Sequence, residues 1–156
     1  MSQGYDYSEL VETLIEAFES FSGRPLIESS TAGQQPDYPF CQYTITSPYK
    51  RITWDIVDGE IFEIVLSLTW RGLSGHEVLS LANKTNKYFR SQEGRIFMQE
   101  NGVTVVDVLN SGLRDTFISI EYERMAGLDL RLRVRDSFVQ EVQEIEEISI
   151  QNEGGI

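Results

Sequence analysis

This 156-residue chain has one cysteine and one histidine. Cys41 has no partner for an internal disulfide, so nothing marks an oxidising compartment. Cys41 and His76 lie far apart, without the clustered Cys, His and carboxylate spacing that a metal centre needs. No apolar run approaches bilayer length, so no membrane association is expected. Residues 1–9 are polar and acidic where an export signal needs a basic start and an apolar stretch, and a cytosolic origin is the simplest expectation. Basic charge is scarce too: 13 Lys and Arg against 25 Asp and Glu give a net charge of −12. That excludes the basic footprint by which proteins grip a phosphate backbone.

The sequence also lacks a glycine-rich phosphate loop, a dinucleotide fingerprint and a nucleophile elbow. Carboxylates are plentiful, but acid–base work needs a pair in opposed environments, and no pattern supplies one. His76 falls in a helical first turn, where a solvated side chain is the ordinary outcome. Cys41 falls in a strand pattern and reads as a small buried hydrophobe. A Cys41–His76 nucleophile pair lacks any activating neighbour. No catalytic residue, cofactor or metal is expected.

An apolar share of 40% and a charged share of 24% describe an ordinary globular chain. One domain is expected over residues 1–150, with 151–156, including Gly154-Gly155, as a fraying end. The charge is unevenly spread. Residues 1–23 carry five carboxylates and residues 136–156 carry six, neither with a basic residue, while the middle is nearly balanced.

Leu10, Val11, Leu14, Ile15, Phe18 and Phe21 recur at helical spacing, with Glu9, Glu12, Glu16 and Glu19 opposite, and Ser22-Gly23 closes that helix. Residues 40–46 read as a strand stopped at Ser47-Pro48. Residues 51–57 and 60–70 alternate around Asp58-Gly59 and predict a hairpin. Ser74 and Glu77 fit a capping box opening a second helix that ends before Gly94. Residues 96–109 hold one or two strands. Residues 116–124 and 128–135 predict a second hairpin around Met125-Ala126-Gly127, and Ile145, Ile148 and Ile150 a last extended segment. The fold class is α+β: a mainly antiparallel sheet with two helices on one face.

In the second hairpin Leu128, Leu130, Leu132 and Val134 point one way, and Asp129, Arg131, Arg133 and Arg135 the other. A three-residue turn sets Tyr122 opposite Leu130 and Glu121 opposite Arg131, leaving Arg133 and Arg135 unpaired. A basic ribbon with acidic termini makes copies self-complementary, as head-to-tail contacts require. The tail could also add as a strand to a neighbour's sheet edge.

Pro36-Asp37-Tyr38-Pro39-Phe40, continuing through Tyr43 to Thr46-Ser47-Pro48-Tyr49, resembles phage neck terminator proteins related to the tail terminators. Arg114-Asp115, Tyr122-Glu123-Arg124 and Gly127-Leu128-Asp129 to Arg133-Val134 resemble the same family's C-terminal hairpin; family members often have an aromatic where this chain has Ala126. The resemblance covers nearly the whole chain. It implies a virion neck component, assembled in the host cytoplasm, that forms a hexameric ring between the tail tube protein and the head-completion or connector protein. Genome DNA would pass without specific binding, with Glu9, Glu12, Glu16 and Glu19 lining or flanking the channel. On this reading Asp37, Tyr38, Phe40 and Tyr49, with Glu121, Arg131, Arg133 and Arg135, form subunit contacts. Two readings compete: an acidic monomeric or dimeric adaptor for a basic protein, and a degenerate small-molecule-binding or hydrolytic domain using Cys41 or His76.

Overall fold

The computed structural model describes residues 4–29, 33–117 and 119–139. Three helices and a five-stranded mixed sheet follow the order α1 (Tyr7–Ser22), β1 (Leu26–Glu28), β2 (Phe40–Arg51), β3 (Ile61–Gly72), α2 (Gly75–Arg90), α3 (Gln92–Glu100), β4 (Thr104–Leu113), a 3-10 turn (Ser119–Glu121) and β5 (Arg124–Arg135). The spatial order is β1-β2-β3-β5-β4. Among the described residues only the short β1–β2 pair is parallel, so the sheet is mostly antiparallel and the class is α+β.

Local chemistry fixes the helix ends. The Asp6 carboxylate caps α1 by accepting from the Ser8 backbone N–H at 3.0 Å. Gly23 closes it at φ 67°, its N–H donating to the Phe18 and Glu19 carbonyls. Ser74 Oγ accepts from Glu77 N and opens α2, as its sequence signature predicts. One residue then ends α2 and starts α3: Ser91 donates its backbone N–H to Tyr88 O, and its Oγ accepts from Gly94 N at 3.1 Å. Gly94 sits so close to Tyr88 that an added Cβ would lie 2.1 Å from the Tyr88 carbonyl oxygen. Where two helices are expected, the described residues form three, and Ile96 belongs to α3 rather than to a strand.

The core is built by alternation. Phe62, Ile64, Leu66, Leu68 and Trp70 on β3, with Ala126, Leu128, Leu130, Leu132 and Val134 on β5, are all buried in one cluster with Leu10, Leu14 and Phe18 of α1 and Val78 and Phe89 of α2. Burying each large side chain stabilises by about 1.5–3 kcal/mol. Trp70 also satisfies its polar edge, donating from Nε1 to Thr85 Oγ1 at 2.8 Å.

Two expected hairpins are corrected. β2 runs through Ser47-Pro48 to Arg51, absorbing residues at register shifts after Ile45 and Ser47. Proline fits there because β1 covers β2 only at Cys41, Gln42 and Tyr43, leaving an open edge at Pro48. Residues 52–60 are then a loop, and their alternating Ile52, Trp54 and Ile56 are exposed. In the second case β5 is one continuous strand through Gly127, paired with β3 from Gly72↔Arg124 to Ile61↔Arg135. Gly127 is not a turn glycine: a Cβ there would lie 2.0 Å from the Leu68 carbonyl oxygen. Residues 114–117 and 119–123 lie outside any strand, with a 3-10 turn at Ser119–Glu121, so Tyr122 does not oppose Leu130. The extended segment expected at Ile145, Ile148 and Ile150, and the Gly154-Gly155 end, lie outside the described residues.

Candidate assembly surfaces

The sheet residues that alternate away from the core form a polar lattice. Glu63 is 3% exposed, and its carboxylate accepts from Arg131 Nε at 2.6 Å and from Arg133 Nη2 at 2.6 Å. Burial works to raise the Glu63 carboxyl, but the hydrogen bonds and charges of the two arginines win and hold it below its ordinary range. Asp129 behaves alike: burial opposes ionisation, while Asn110, Arg114 and Ser67 hold the carboxyl down. Arg114 Nη2 donates to Asp129 at 2.9 Å, and its Nη1 donates to Ser67 and Thr69 of β3. Asp115 accepts from Arg124 Nε at 3.0 Å and from Met125 N at 2.7 Å, and both bonds keep it ionised.

At the Gly72 end of β3, a second small cluster forms. The Tyr38 ring stacks on Phe40 at 5.6 Å, its hydroxyl donates to Glu123 Oε2 at 2.7 Å, and Arg71 pairs with the other oxygen of that carboxylate. Phe40 is fully buried, so its ring has no free face to offer another protein. Asp37 is exposed beside it. Tyr49 packs on Phe62 at 4.9 Å and donates its hydroxyl to the Glu60 carboxylate, which pushes the phenol pKa up.

The sequence places Arg131 against Glu121, and the structure corrects this. Arg131 stands between Val65 of β3 and Asp107 of β4 in register, and its carboxylate partner is Glu63. Glu121 is exposed in the 3-10 turn. Arg133 shares Glu63, and Arg135 donates to the Gly59 carbonyl at 2.9 Å. The ribbon is therefore not a row of unpaired cations, although the Arg131 and Arg133 side chains keep 42% and 45% of their surface exposed. Glu9, Glu12, Glu16 and Glu19 all face solvent along α1.

Cys41 is fully buried on β2, where desolvation pushes its thiol well above the ordinary value. His76 is exposed in the first turn of α2. Among the described residues no three His, Cys, Asp or Glu side chains gather to hold a metal ion, and no helix is long and apolar enough to cross a membrane.

Sequence reasoning missed Glu63, whose signal is parity. It alternates with Val65, Ser67, Thr69 and Arg71 on the face of β3 that opposes the arginine face of β5. It also missed the exposed apolar loops. Trp54 is 80% exposed in residues 52–60, with the Arg51 guanidinium 4.4 Å from its ring centre. At the other end of the sheet Phe117 is 92% exposed, accompanied by Tyr122, Leu73, Leu113 and Ile120.

An α+β chain with interlocked charges on one sheet face and exposed apolar loops beyond the strand ends has the features of a structural protein that works by its surfaces. A family model for the phage neck terminator protein matches residues 12–156, and the chain belongs to that family of virion neck proteins. No curated protein matches it.

Proposed function

We propose that the chain is a ring-forming subunit of the phage neck that joins the tail tube to the head connector. The observation that carries this reading is the placement of the two apolar loops. β3 and β5 run antiparallel over twelve residues, so the Trp54 loop lies beyond one strand end and the Phe117–Tyr122 loop with Leu73 beyond the other. At ~3.3 Å per residue the loops stand on the order of 40 Å apart. Each side chain there would lose water-exposed apolar area on docking, which suits a part held between two partners.

In this reading one loop meets the tail tube protein and the other the head-completion or connector protein, within a hexamer around the DNA path. Asp37, Tyr49 and Glu121 remain available at subunit contacts, and Arg131, Arg133 and Arg135 offer the outer faces of guanidinium groups already paired within the chain. Glu9, Glu12, Glu16 and Glu19 line or flank the channel. Their charge keeps genome DNA from adhering, because adhesion needs phosphate neutralisation.

Co-sedimentation with purified tail tubes, followed by electron microscopy of the tube ends, tests this. The expected result is a ring on one end of the tube, with Trp54→Ser or Phe117→Ser weakening attachment or connector capture more than tenfold. A chain that stays monomeric and unattached at every concentration overturns it and favours the acidic adaptor.

A further inference from the structure

The two lateral edges of the sheet carry grooves of opposite charge. At the β1–β2 edge, a groove of about 540 Å³ is bounded by Tyr7, Val11 and Glu12 of α1, Glu28 of β1, and Tyr43 and Ile45 of β2. Its charged groups are both acidic. At the β4 edge, the far side of the sheet, a groove of about 300 Å³ is bounded by Arg90, Arg95, Val105, Val106, Asp107 and Val108, with Phe89 at its base. Here the guanidinium groups outnumber the single carboxylate.

The arginines of the β4 groove differ from those of the ribbon. Among the described residues, Arg71, Arg114, Arg124, Arg131 and Arg133 each hold a carboxylate, whereas Arg90 and Arg95 hold none. Arg90 donates to the Asn86 side-chain oxygen at 3.3 Å. Asp107 turns its Oδ1 to the Val108 backbone N–H at 2.8 Å. Lys84 and Lys87 add exposed positive charge on the same helix. Among the described residues both edges also keep open main chain: β4 pairs with β5 alone, and β2 beyond Tyr43 has no partner strand on its outer side. An open strand edge lined by charge is poised for a matching edge.

The geometry points to a second copy of this chain as the occupant: the β4 groove of one subunit receives the α1–β2 edge of the next, with Arg90 and Arg95 facing Glu12 and Glu28. The contact is heterologous, using two different patches on opposite sides of the subunit, which is the form that closes into a ring. It moves the positive half of the interface from the β5 ribbon, where Glu63 already holds Arg131 and Arg133, to the end of α2 and the start of α3. An acidic peptide from another protein fits Arg90 and Arg95 equally well in charge. The second copy is favoured because the complementary acidic groove lies at the opposite edge of the same sheet. This inference rests on the ring reading of the preceding section.

Charge reversal tests it, with ring formation on tail tubes as the readout. Arg90→Glu with Arg95→Glu, and separately Glu12→Lys with Glu28→Lys, should each raise the concentration for half assembly more than about tenfold. The quadruple variant pairs reversed edges and should assemble within about threefold of the natural chain, the margin left by unequal lysine and arginine geometry. Double variants that assemble normally overturn the edge contact and leave the ring reading standing. A quadruple variant with a native melting curve that fails to assemble overturns the contact as well. Should a variant not fold, chains bearing only Glu28→Cys or only Arg95→Cys are mixed on the tube. A disulfide-linked heterodimer supports the contact and its absence overturns it, with buried Cys41 silent in both. If the natural chain forms no ring at all, the ring reading falls and this contact falls with it.

Discussion

Arg133 grips Glu63 through two bonds to one oxygen, Nη2 at 2.6 Å and Nε at 3.1 Å, and thereby ties the end of β5 to the start of β3. Arg131 takes the other oxygen, so a single buried carboxylate is shared by two cations on a neighbouring strand. Replacing Glu63 with glutamine keeps the shape and removes the charge. Because both guanidiniums are about half exposed and turn to water, the cost is discounted to about 1–2 kcal/mol. Thermal unfolding should fall by about 2–4 °C per kcal/mol lost. An unchanged melting temperature would show that the lattice contributes nothing to stability.

The lattice also sets an acid limit. Glu63, Asp115 and Asp129 are all held below their ordinary carboxyl values in the folded chain. Their stabilisation is complete above the unfolded carboxyl range and is lost as pH falls through the folded values. Melting temperature should therefore hold steady down to roughly pH 5 and decline below it, as carboxyls with ordinary values near 4 take up protons. The Glu63→Gln chain should decline less steeply, and a parallel decline in both would remove Glu63 from the account.

Tyr38 separates a structural role from an interface role. Its hydroxyl donates to Glu123, the carboxylate that also holds Arg71. Tyr38→Phe removes one hydrogen bond to a charged group and should cost the isolated chain about 1–2 kcal/mol. A change in assembly at unaltered stability would instead place this ring at a subunit contact.

Gly127→Ala should be among the most damaging small substitutions. The added methyl meets the Leu68 carbonyl oxygen at 2.0 Å, and that atom belongs to the backbone of the central strand. Overpacking of this kind costs about 1–3 kcal/mol or more, and denaturant titration should show a lower midpoint. A neutral result would mean that β3 and β5 separate at that point without loss.

Cys41 offers a measure of global opening. Fully buried and with its thiol pushed up by desolvation, it should react with thiol reagents only as the fold opens, and completely in denaturant. Rapid labelling of the native chain would contradict its placement on the covered side of β2.

How far the sequence carried depended on the range of the determining interaction. α1 was legible because its period and its Gly23 stop are local, as was the Ser74 cap of α2. The apolar alternation of β3 and of residues 128–135 was legible for the same reason, and so were buried Cys41 and exposed His76. The pairing was not. Arg131 and Glu63 are 68 residues apart, and local reasoning chose Glu121 ten positions away instead. Gly127 looked like a turn because the close approach of the Leu68 carbonyl is invisible until the strands are paired. The short Ile96-Phe97-Met98 run fits strand or helix equally, and Ser91, which decides for a helix, serves two helices at once. Residues 52–57 continue the strand alternation past Arg51 but pair with no strand among the described residues. Of the residues expected at contacts, Phe40 proved buried and stacked on Tyr38, whose hydroxyl is held by Glu123, 85 residues along the chain and beyond the reach of a local strand pattern.

The two tryptophans occupy opposite extremes, and that contrast makes the chain its own reporter. Trp70 is sealed against Thr85, while Trp54 stands 80% open in its loop. Acrylamide in solution should therefore quench one indole and spare the other. Capture of the Trp54 loop by a partner would shield the quenchable emission, whereas denaturation would expose the protected one, so a single fluorescence trace can tell docking from melting without any label.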